Sequence, residues 1–387
     1  MSLQTKEAIL VFNISKFIGG AEISLQQNIR HISKSKFYFV IALSTNDAIY
    51  NTLKSESNVL LLEKKIRYYE QPGLTKKLYT ILKLLSLSFT AIKHINKTKI
   101  QHIYCNSYRS LPYIYIISVF TGKRFLFHCR DNIKRKFLFK FLLHKASFVI
   151  SVSKFINAQV PISPNKKHVV YNSIDPQLWK TNLYRRENTR KLLGATQKTI
   201  LIGSVGQFVS WKNHEDFLHL AKEILSLKSS QHVRFILVGH LADTAYVKKL
   251  QNIIKSDNLE KDVSILGFKV NIKEYIEAMD IVVHCALKEP FGRILIESMA
   301  LNKLVVAYDS GAASEIIFHN LNGFLVKERD ISGLYSSVRN LIENFPEKSL
   351  ISSVTRDFVH KEFNIKNKAI EIENLISRHA TRSDSID

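Results

Sequence analysis

Residues 281–308 read IVVHCALKEPFGRILIESMALNKLVVAY, in which two Val-rich runs flank a longer amphipathic segment. The runs, 281–285 and 304–308, have strand length, and the segment between them carries Glu289 and Glu297. Short apolar runs that alternate with segments of helical length are typical of parallel βαβ units. The stretch therefore predicts one strand–helix–strand unit of an α/β protein.

The same alternation extends over the whole chain. In the first half the predicted strands are residues 8–14, 37–44, 59–63, 100–106, 124–128, 148–151 and 168–171, and in the second half they are 199–206, 233–239, 263–267, 281–285, 304–308 and 323–326. Each set fills one doubly wound, Rossmann-like sheet. A polar turn at 172–176 separates them. The predicted domains are thus 1–175 and 176–360, followed by a final segment, 361–387.

The length and charge favour two globular domains with different partners. The chain has 387 residues, 45% of them hydrophobic, and single cores stop growing beyond roughly 250–300 residues. Residues 1–180 carry 28 Lys and Arg against 8 Asp and Glu, whereas residues 181–387 carry 28 against 25. A basic excess confined to one half indicates that the first domain faces an anionic partner.

The composition also predicts a compartment. Cys105, Cys129 and Cys285 are odd in number and far apart, which suits neither a disulfide framework nor a zinc site. The longest uncharged apolar stretch, 110–122, is shorter than the roughly 20 residues that a membrane span needs. The first residues lack the pattern of a secretion signal. We therefore expect a cytoplasmic protein without a transmembrane helix.

Two of the predicted strand-to-helix loops in the first half carry candidate binding residues. Gly19 and Gly20 precede a helical pattern, where glycines let backbone N–H groups approach a phosphate. A paired glycine is equally typical of a plain turn. His128 begins a His-x-Arg-Asp cluster at a strand end, a place where substrates are held in α/β sheets. A lone histidine there is more often structural.

Two loops in the second half carry stronger signals. Lys212 lies beyond the loop at 203–207, where a lysine neutralises a phosphate as a point charge, although a solvated lysine is the common alternative. Pro290 suits the first position of a helix, so that the N–H groups after it form an anion seat. Glu289 and Glu297 flank that seat at a separation near the length of a nucleotide sugar. Two glutamates at this spacing are otherwise ordinary surface charges.

This last segment resembles the Glu-x7-Glu motif of retaining, nucleotide-sugar-dependent glycosyltransferases of the GT-B fold, the glycosyl transferases group 1, family 4 type. The resemblance covers nearly the whole chain. In order, the matching segments are 19–22, 128–131, 152–154, 169–175, 203–213, 235–239, 289–300 and 322–326. It implies two Rossmann-like domains that face each other across a cleft, with the acceptor bound by the first, the donor by the second, and a final helix returning to the first.

The resemblance also implies roles for single residues. The catalytic residues would be His128, beside the donor sugar, Glu289, on its hydroxyls, and Lys212, against the charge of the leaving group. Donor-binding residues would be Gly19, Gly20, Gln207, Lys212, Glu289, Phe291, Gly292, Ile294, Leu295 and Glu297. The chain departs from the family at Gln207, where an arginine is usual, and at Gly311-Ala312, where two glycines are frequent.

No Asp-x-Asp occurs in the sequence, so the usual acidic clamp for a divalent ion on a diphosphate is missing. We therefore expect no metal and no cofactor. The donor is the substrate, and a helix N-terminus with Lys212 can hold its diphosphate.

Two basic, apolar-rich stretches, 74–99 and 132–145, predict peripheral contact with an anionic membrane and a lipid-linked or cell-envelope acceptor, such as a polysaccharide or lipopolysaccharide. The enzyme would then work at the inner face of the cell membrane. The alternative is that both stretches are ordinary sheet-covering helices. Among functions, a GT-B-fold sugar-nucleotide epimerase is the main alternative, and a nucleic-acid-binding protein is disfavoured because no zinc-finger, RRM or KH signature is present.

Overall fold

The structure is a computed structural model that describes residues 6–14, 19–43, 53, 58–61, 74–97, 100–227, 232–345 and 351–383. The chain divides into two compact units. The first unit comprises Met1–Ser173 and Ile365–Asp387, and the second comprises Ile174–Asn364. The chain thus changes unit two residues before the predicted boundary and returns four residues after the predicted one.

Strands and helices alternate in both units. The strands are β1 Glu7–Asn13, β2 Phe37–Leu43, β3 Asn58–Leu61, β4 His102–Cys105, β5 Phe125–Cys129, β6 Ala146–Ser151, β7 Lys167–Val169, β8 Thr199–Val205, β9 His232–Val238, β10 Val263–Ile265, β11 Ile281–His284, β12 Leu304–Asp309 and β13 Phe324–Lys327. The helices are α1 Gly20–His31, α2 Leu74–Lys97, α3 Leu111–Thr121, α4 Lys136–Leu142, α5 Lys154–Gln159, α6 Leu183–Leu192, α7 His214–Leu225, α8 Thr244–Ser256, α9 Ile272–Ala278, α10 Arg293–Ala300, α11 Ile331–Glu343, α12 Ile351–Glu362 and α13 Ile365–Ser383.

Both sheets are parallel and doubly wound. The first has the order β3-β2-β1-β4-β5-β6-β7 and the second the order β10-β9-β8-β11-β12-β13. In the first sheet β1 pairs on one side with β2 and on the other with β4, so that Val11 faces both Ile41 and Tyr104. The predicted α/β fold is confirmed, and each of the thirteen predicted strands is present. The ends predicted at residues 44, 62 and 63 lie outside the described residues.

The strand sequences form these sheets because most of their residues are apolar and do not alternate with polar ones. All five residues of β5 are buried, as are all four of β11. Parallel strands covered by helices on both faces need such continuous runs, whereas a strand with one solvated face would alternate. The carboxyl ends of the strands then meet at one edge of each sheet.

The last helix is part of the first unit. In α13, Ala369, Ile372 and Ile376 are buried in the same apolar core as β1. Glu373 of this helix accepts hydrogen bonds from Lys36 Nζ at 2.7 Å and from the Ser33 backbone N–H at 3.1 Å. The described part of the chain contains no helix of the length and hydropathy required to cross a bilayer.

Candidate active site

In the second unit, the candidate residues lie at the point where the strand order reverses. Strands β8 and β11 are neighbours in the sheet, but the chain continues from them in opposite directions. Ligands of open α/β sheets bind in the crevice at the carboxyl ends of such strands. Lys212 closes a 3-10 turn after β8, and Glu289 lies in the loop after β11.

The two predicted catalytic residues of this unit are in direct contact. Lys212 Nζ lies 2.5 Å from Glu289 Oε2, and His284 Nε2 lies 3.0 Å from the same oxygen. Within the described residues, the other oxygen, Oε1, accepts no hydrogen bond. Glu289 is 7% exposed. The carboxylate therefore has one oxygen engaged by two donors and one oxygen available to a ligand.

The electrostatics keep this carboxylate ionised. Burial raises the pKa of Glu289, but the charge of Lys212 and the hydrogen bonds from His284 and Lys212 have the larger, opposite effect. The pKa is therefore lowered to about 2. Burial lowers the pKa of His284, the hydrogen bond to Glu289 and its charge oppose this effect, and the charge of Lys212 adds to it, so that the net shift is downward. His284 is thus a neutral imidazole at pH 7, and its Nε2 carries the proton because an ionised carboxylate only accepts.

Glu289 is held by the loop after β12. Its backbone oxygen accepts from the Ala312 N–H at 2.9 Å. Gly311 has a φ of +69°, and a Cβ there would lie 2.2 Å from the oxygen and 2.4 Å from the nitrogen of Glu289. Only glycine allows both that backbone conformation and that approach. Of the two positions where the family has glycines, Gly311 is therefore the one that the loop requires.

Lys212 is held by its neighbours in the β8 loop. A Cβ at Gly206 would lie 3.3 Å from Lys212 Cδ, and Nζ lies 4.5 Å from the centre of the Trp211 ring. The backbone oxygen of Gln207 is 3.2 Å from Nε2 of the buried His214. Gln207 therefore has a structural contact through its backbone.

The helix after Glu289 begins later than predicted. Pro290 was expected at its first position, but α10 starts at Arg293, and Gly292 precedes it with a φ of +86°. Because the left-handed Gly292 interrupts the helical conformation, Pro290 belongs to the loop and only Glu297 lies on the helix. Glu297 pairs with Arg293, whose Nη2 is 2.8 Å from Oε1.

The other residues predicted at this helix contribute little side-chain surface. Phe291, Ile294 and Leu295 are buried, and Phe291 packs on Phe363 with ring centres 5.8 Å apart. The first N–H groups of a helix have no intrahelical partners. A ligand at this place would therefore meet mainly the backbone of the α10 N-terminus.

In the first unit, the sheet reverses between β1 and β4, and the predicted glycines follow β1. Gly20 is the first residue of α1. The Gly19 N–H donates to Glu22 Oε2 at 2.9 Å, which closes the first turn of the helix. Both glycines therefore lie at a helix N-terminus, as the sequence predicts.

His128 ends β5 together with Cys129 and is 2% exposed. Its Nδ1 contacts the hydroxyl of Tyr104, and Arg130 Nη2 lies 3.3 Å from the same nitrogen. Arginine only donates, so Nδ1 accepts and Nε2 carries the proton. Nε2 is buried and has no hydrogen-bond partner within the described residues. Burial and the charge of Arg130 lower the pKa of His128, which is therefore a neutral donor at pH 7.

A polar network joins this histidine to neighbouring strands. Arg130 Nε donates to Asn106 Oδ1 at 3.1 Å, and Asn106 Nδ2 donates to Asn13 Oδ1 at 3.0 Å. Arg130 Nη1 donates to Asn172 Oδ1 at 2.8 Å. Asn13, Asn106 and Arg130 come from the carboxyl ends of three adjacent strands, β1, β4 and β5.

The structure thus assembles Lys212 and Glu289 in one unit and places His128 with Gly19 and Gly20 at the strand ends of the other. Sequence reasoning missed Tyr104 and His284. A polar residue within an otherwise apolar predicted strand was the available signal for both. Among the described residues, no group of three or more His, Cys, Asp and Glu side chains could hold a metal ion.

The known proteins that this chain resembles in sequence are glycosyltransferases. Residues 185–353 match the family Glycosyl transferases group 1. An uncharacterized glycosyltransferase of Methanocaldococcus jannaschii is 25% identical over 235 residues, which is 60% of this chain and 60% of that protein. The N-acetylgalactosamine-N,N'-diacetylbacillosaminyl-diphospho-undecaprenol 4-alpha-N-acetylgalactosaminyltransferase of Campylobacter jejuni is 27% identical over 219 residues, 55% of this chain and 56% of that enzyme. Each match spans less than two thirds of the relative.

The fold is similar to solved structures over almost its entire length. The crystal structure of Anabaena Alr3699/HepE in complex with UDP and glucose has a TM-score of 0.83 and 24% sequence identity. The likeness covers 96% of this chain and 100% of that one. The chain therefore has the GT-B fold, and its residues 185–353 match the model of the group 1 glycosyltransferase family.

Proposed function

We propose that the chain is a glycosyltransferase that moves a sugar from a nucleoside-diphosphate donor to a lipid-linked or cell-envelope glycan, with retention of configuration and without a metal ion. The observation that carries this proposal is the contact of Lys212 with Glu289 at the strand-order reversal of the second sheet. One cation and one oriented carboxylate there match the two ends of such a donor, its diphosphate and its sugar hydroxyls.

The residues divide the chemistry between them. Oε1 of Glu289 accepts from a sugar hydroxyl, and the N-terminus of α10 meets the diphosphate. As the bond between sugar and diphosphate breaks, negative charge grows on the leaving oxygen. Lys212 Nζ offsets that charge, and the interaction strengthens in the transition state. In the first unit His128 has one neutral donor, Nε2–H, and its role beside the donor sugar follows from the family resemblance. Retention and Glu297 on the ribose follow from the family resemblance.

The nature of the acceptor is supported by a relative and by the surface. The Campylobacter jejuni enzyme carries a diphospho-undecaprenol acceptor in its name. In the first unit, α4 exposes Phe137 by 89%, together with Leu138 and Phe141. Five basic residues around them are also exposed, namely Lys134, Arg135, Lys136, Lys140 and Lys145. The side chains of the other basic stretch are only partly described, from Leu82 to Lys97 without Lys83.

Such a patch suits a lipid surface. Each Lys or Arg near an anionic leaflet contributes about 1 kcal/mol, and exposed aromatic side chains add apolar burial at the interface. We therefore expect the protein to sediment with phosphatidylglycerol vesicles. The sedimented fraction should fall as the salt concentration rises from about 0.05 to 0.5 M, because the Debye screening length shortens. Phe137→Ser should weaken it. The control Leu192→Ser, at an 86% exposed side chain of the second unit, should not. Equal sedimentation of both variants would contradict the proposal that the patch binds the vesicle surface.

The donor and the reaction are tested together. Thermal shifts with UDP-, GDP-, ADP- and CMP-sugars identify the donor, because a ligand of the native state raises its stability. With that donor and an undecaprenyl-linked glycan, transfer lengthens the glycan and releases the nucleoside diphosphate, whereas an epimerase changes only the sugar. We expect Glu289→Gln to lower transfer by about 10²–10³-fold. Unchanged turnover of this variant would contradict the proposed site.

Metal independence is tested in the same assay. We expect full transfer in excess EDTA, because Lys212 and the α10 N-terminus neutralise the diphosphate. Loss of transfer in EDTA and its recovery with Mg²⁺ or Mn²⁺ would show that a divalent ion takes this role.

A further inference from the structure

We propose that His284 is a positioning residue for Glu289, which rests on the proposed function of that carboxylate. His284 is the last residue of β11, is 3% exposed, and has its Nε2 3.0 Å from Glu289 Oε2. Its ring is fixed by a strand in the middle of the sheet. Glu289, by contrast, lies in a loop and needs an external contact to fix the orientation of its carboxylate.

The contact selects which oxygen is free. Lys212 and His284 both approach Oε2, so that the carboxylate plane is set by two donors on one side. Oε1 accepts no hydrogen bond from the described residues and is thus the oxygen left for a sugar hydroxyl. A single donor on a flexible side chain would leave the carboxylate free to rotate and exchange its two oxygens.

His284 also matters when Lys212 changes partner. In the proposed reaction Lys212 is drawn to the diphosphate, where negative charge grows. A buried carboxylate that loses its only partner incurs a large desolvation cost. The hydrogen bond from His284 stays in place and keeps Oε2 satisfied. His284 thereby allows Lys212 to serve the leaving group without a shift of Glu289.

The test compares two substitutions. His284→Gln places an amide N–H near the position of Nε2 and keeps a donor, whereas His284→Phe keeps the ring and removes the donor. We expect His284→Phe to lower kcat by about 10–100-fold, because a misplacement of about 1 Å in a catalytic group can cost about 10²-fold in rate. His284→Gln should restore most of the activity. Binding of the nucleoside diphosphate alone should be the same in both variants and in the wild type.

A double-mutant cycle separates positioning from general damage. If His284 acts through Glu289, His284→Phe lowers the affinity for the nucleotide sugar when Glu289 is present. The same substitution causes little further loss of affinity in a protein that already carries Glu289→Gln. Additive losses in the cycle, or equal losses for the nucleoside diphosphate alone, would overturn the proposal.

The further outcomes are distinct. Absence of transfer by the wild type with every nucleotide sugar would reject the proposed function itself, and a fully active Glu289→Gln would reject the role of Glu289. An inactive Glu289→Gln beside a fully active His284→Phe rejects only the role of His284. If His284→Phe fails to fold, nitrogen NMR of the wild type decides the matter. A proton on Nδ1 instead of Nε2 would exclude the hydrogen bond to Glu289.

Discussion

At the scale of single residues, two of the three candidate catalytic side chains, His128 and Glu289, are contacted by a side chain from a strand. His284 of β11 contacts Glu289, and Tyr104 of β4 contacts His128 of β5. Burial raises the pKa of Tyr104, so its hydroxyl stays protonated and donates. Burial lowers the pKa of both histidines, so they stay neutral. The result is a set of fixed hydrogen-bond donors in place of mobile charges.

The contact between Tyr104 and His128 leads to a prediction. Tyr104→Phe removes one hydrogen bond to Nδ1 and leaves only Arg130 to hold the tautomer in which Nε2 carries the proton. We expect kcat to fall by about 10-fold with little change in the melting temperature. The control Tyr108→Phe, at an exposed tyrosine after the same strand, should keep full activity. An unchanged kcat for Tyr104→Phe would show that the tautomer does not limit the reaction.

At the scale of elements, the loop after β11 depends on the loop after β12. Both Gly292 and Gly311 have positive φ angles, and Gly311 approaches the backbone of Glu289. These contacts join residues some twenty positions apart in sequence. The position of Glu289 is therefore a property of two loops together.

Gly311→Ala tests this dependence against a matched glycine. Gly122, at the end of α3, has nearly the same φ, +70°, but open space around its missing Cβ. We expect Gly122→Ala to cost about 1–2 kcal/mol of stability, the price of a left-handed alanine, with unchanged activity. Gly311→Ala adds a backbone clash and should cost more stability and most of the transfer activity. Equal effects of the two changes on activity and melting temperature would contradict the coupling of the loops.

The elements were predictable from sequence to the extent that burial alone forms them. Every predicted strand is present, because a parallel strand between two helical layers has an apolar run that the sequence displays. The start of α10 was predicted wrongly at Pro290, because the φ of Gly292 depends on tertiary contacts. Tyr104 and His284 were missed because a polar residue in an apolar strand was their only local signal, and that signal does not identify the side chain that each one contacts. The catalytic roles of the predicted residues stay predictions.

At the scale of the whole molecule, the two units differ in charge and in spectroscopic probes. The basic excess lies in residues 1–180, most of which belong to the first unit. The exposed patch on α4 is part of the same unit. Both tryptophans, Trp179 and Trp211, lie in the second unit. Tryptophan fluorescence therefore follows unfolding of the second unit, while vesicle binding reports on the first.

Buried histidines give the second unit a pH-dependent stability. Burial lowers the pKa of His214 from 6.5 to about 3, and that of His284 also falls. Below pH 6.5 these histidines bind protons in the unfolded chain but not in the folded chain. The unfolding free energy therefore falls as the pH drops from 6.5 toward 3. Each histidine contributes a slope of up to about 1.4 kcal/mol per pH unit. Above pH 6.5 the histidines are neutral in both the folded and the unfolded chain, so their contribution to the unfolding free energy no longer changes with pH.

Urea unfolding followed by tryptophan fluorescence between pH 7 and pH 4 measures this slope. We expect His214→Gln to reduce the slope by up to one proton, because glutamine does not titrate. His219→Gln, at an exposed position of the same helix α7, controls for the substitution itself. The comparison removes the contribution of carboxylates, which both variants share. A slope that is identical in His214→Gln and His219→Gln would mean that His214 takes up its proton in the folded state.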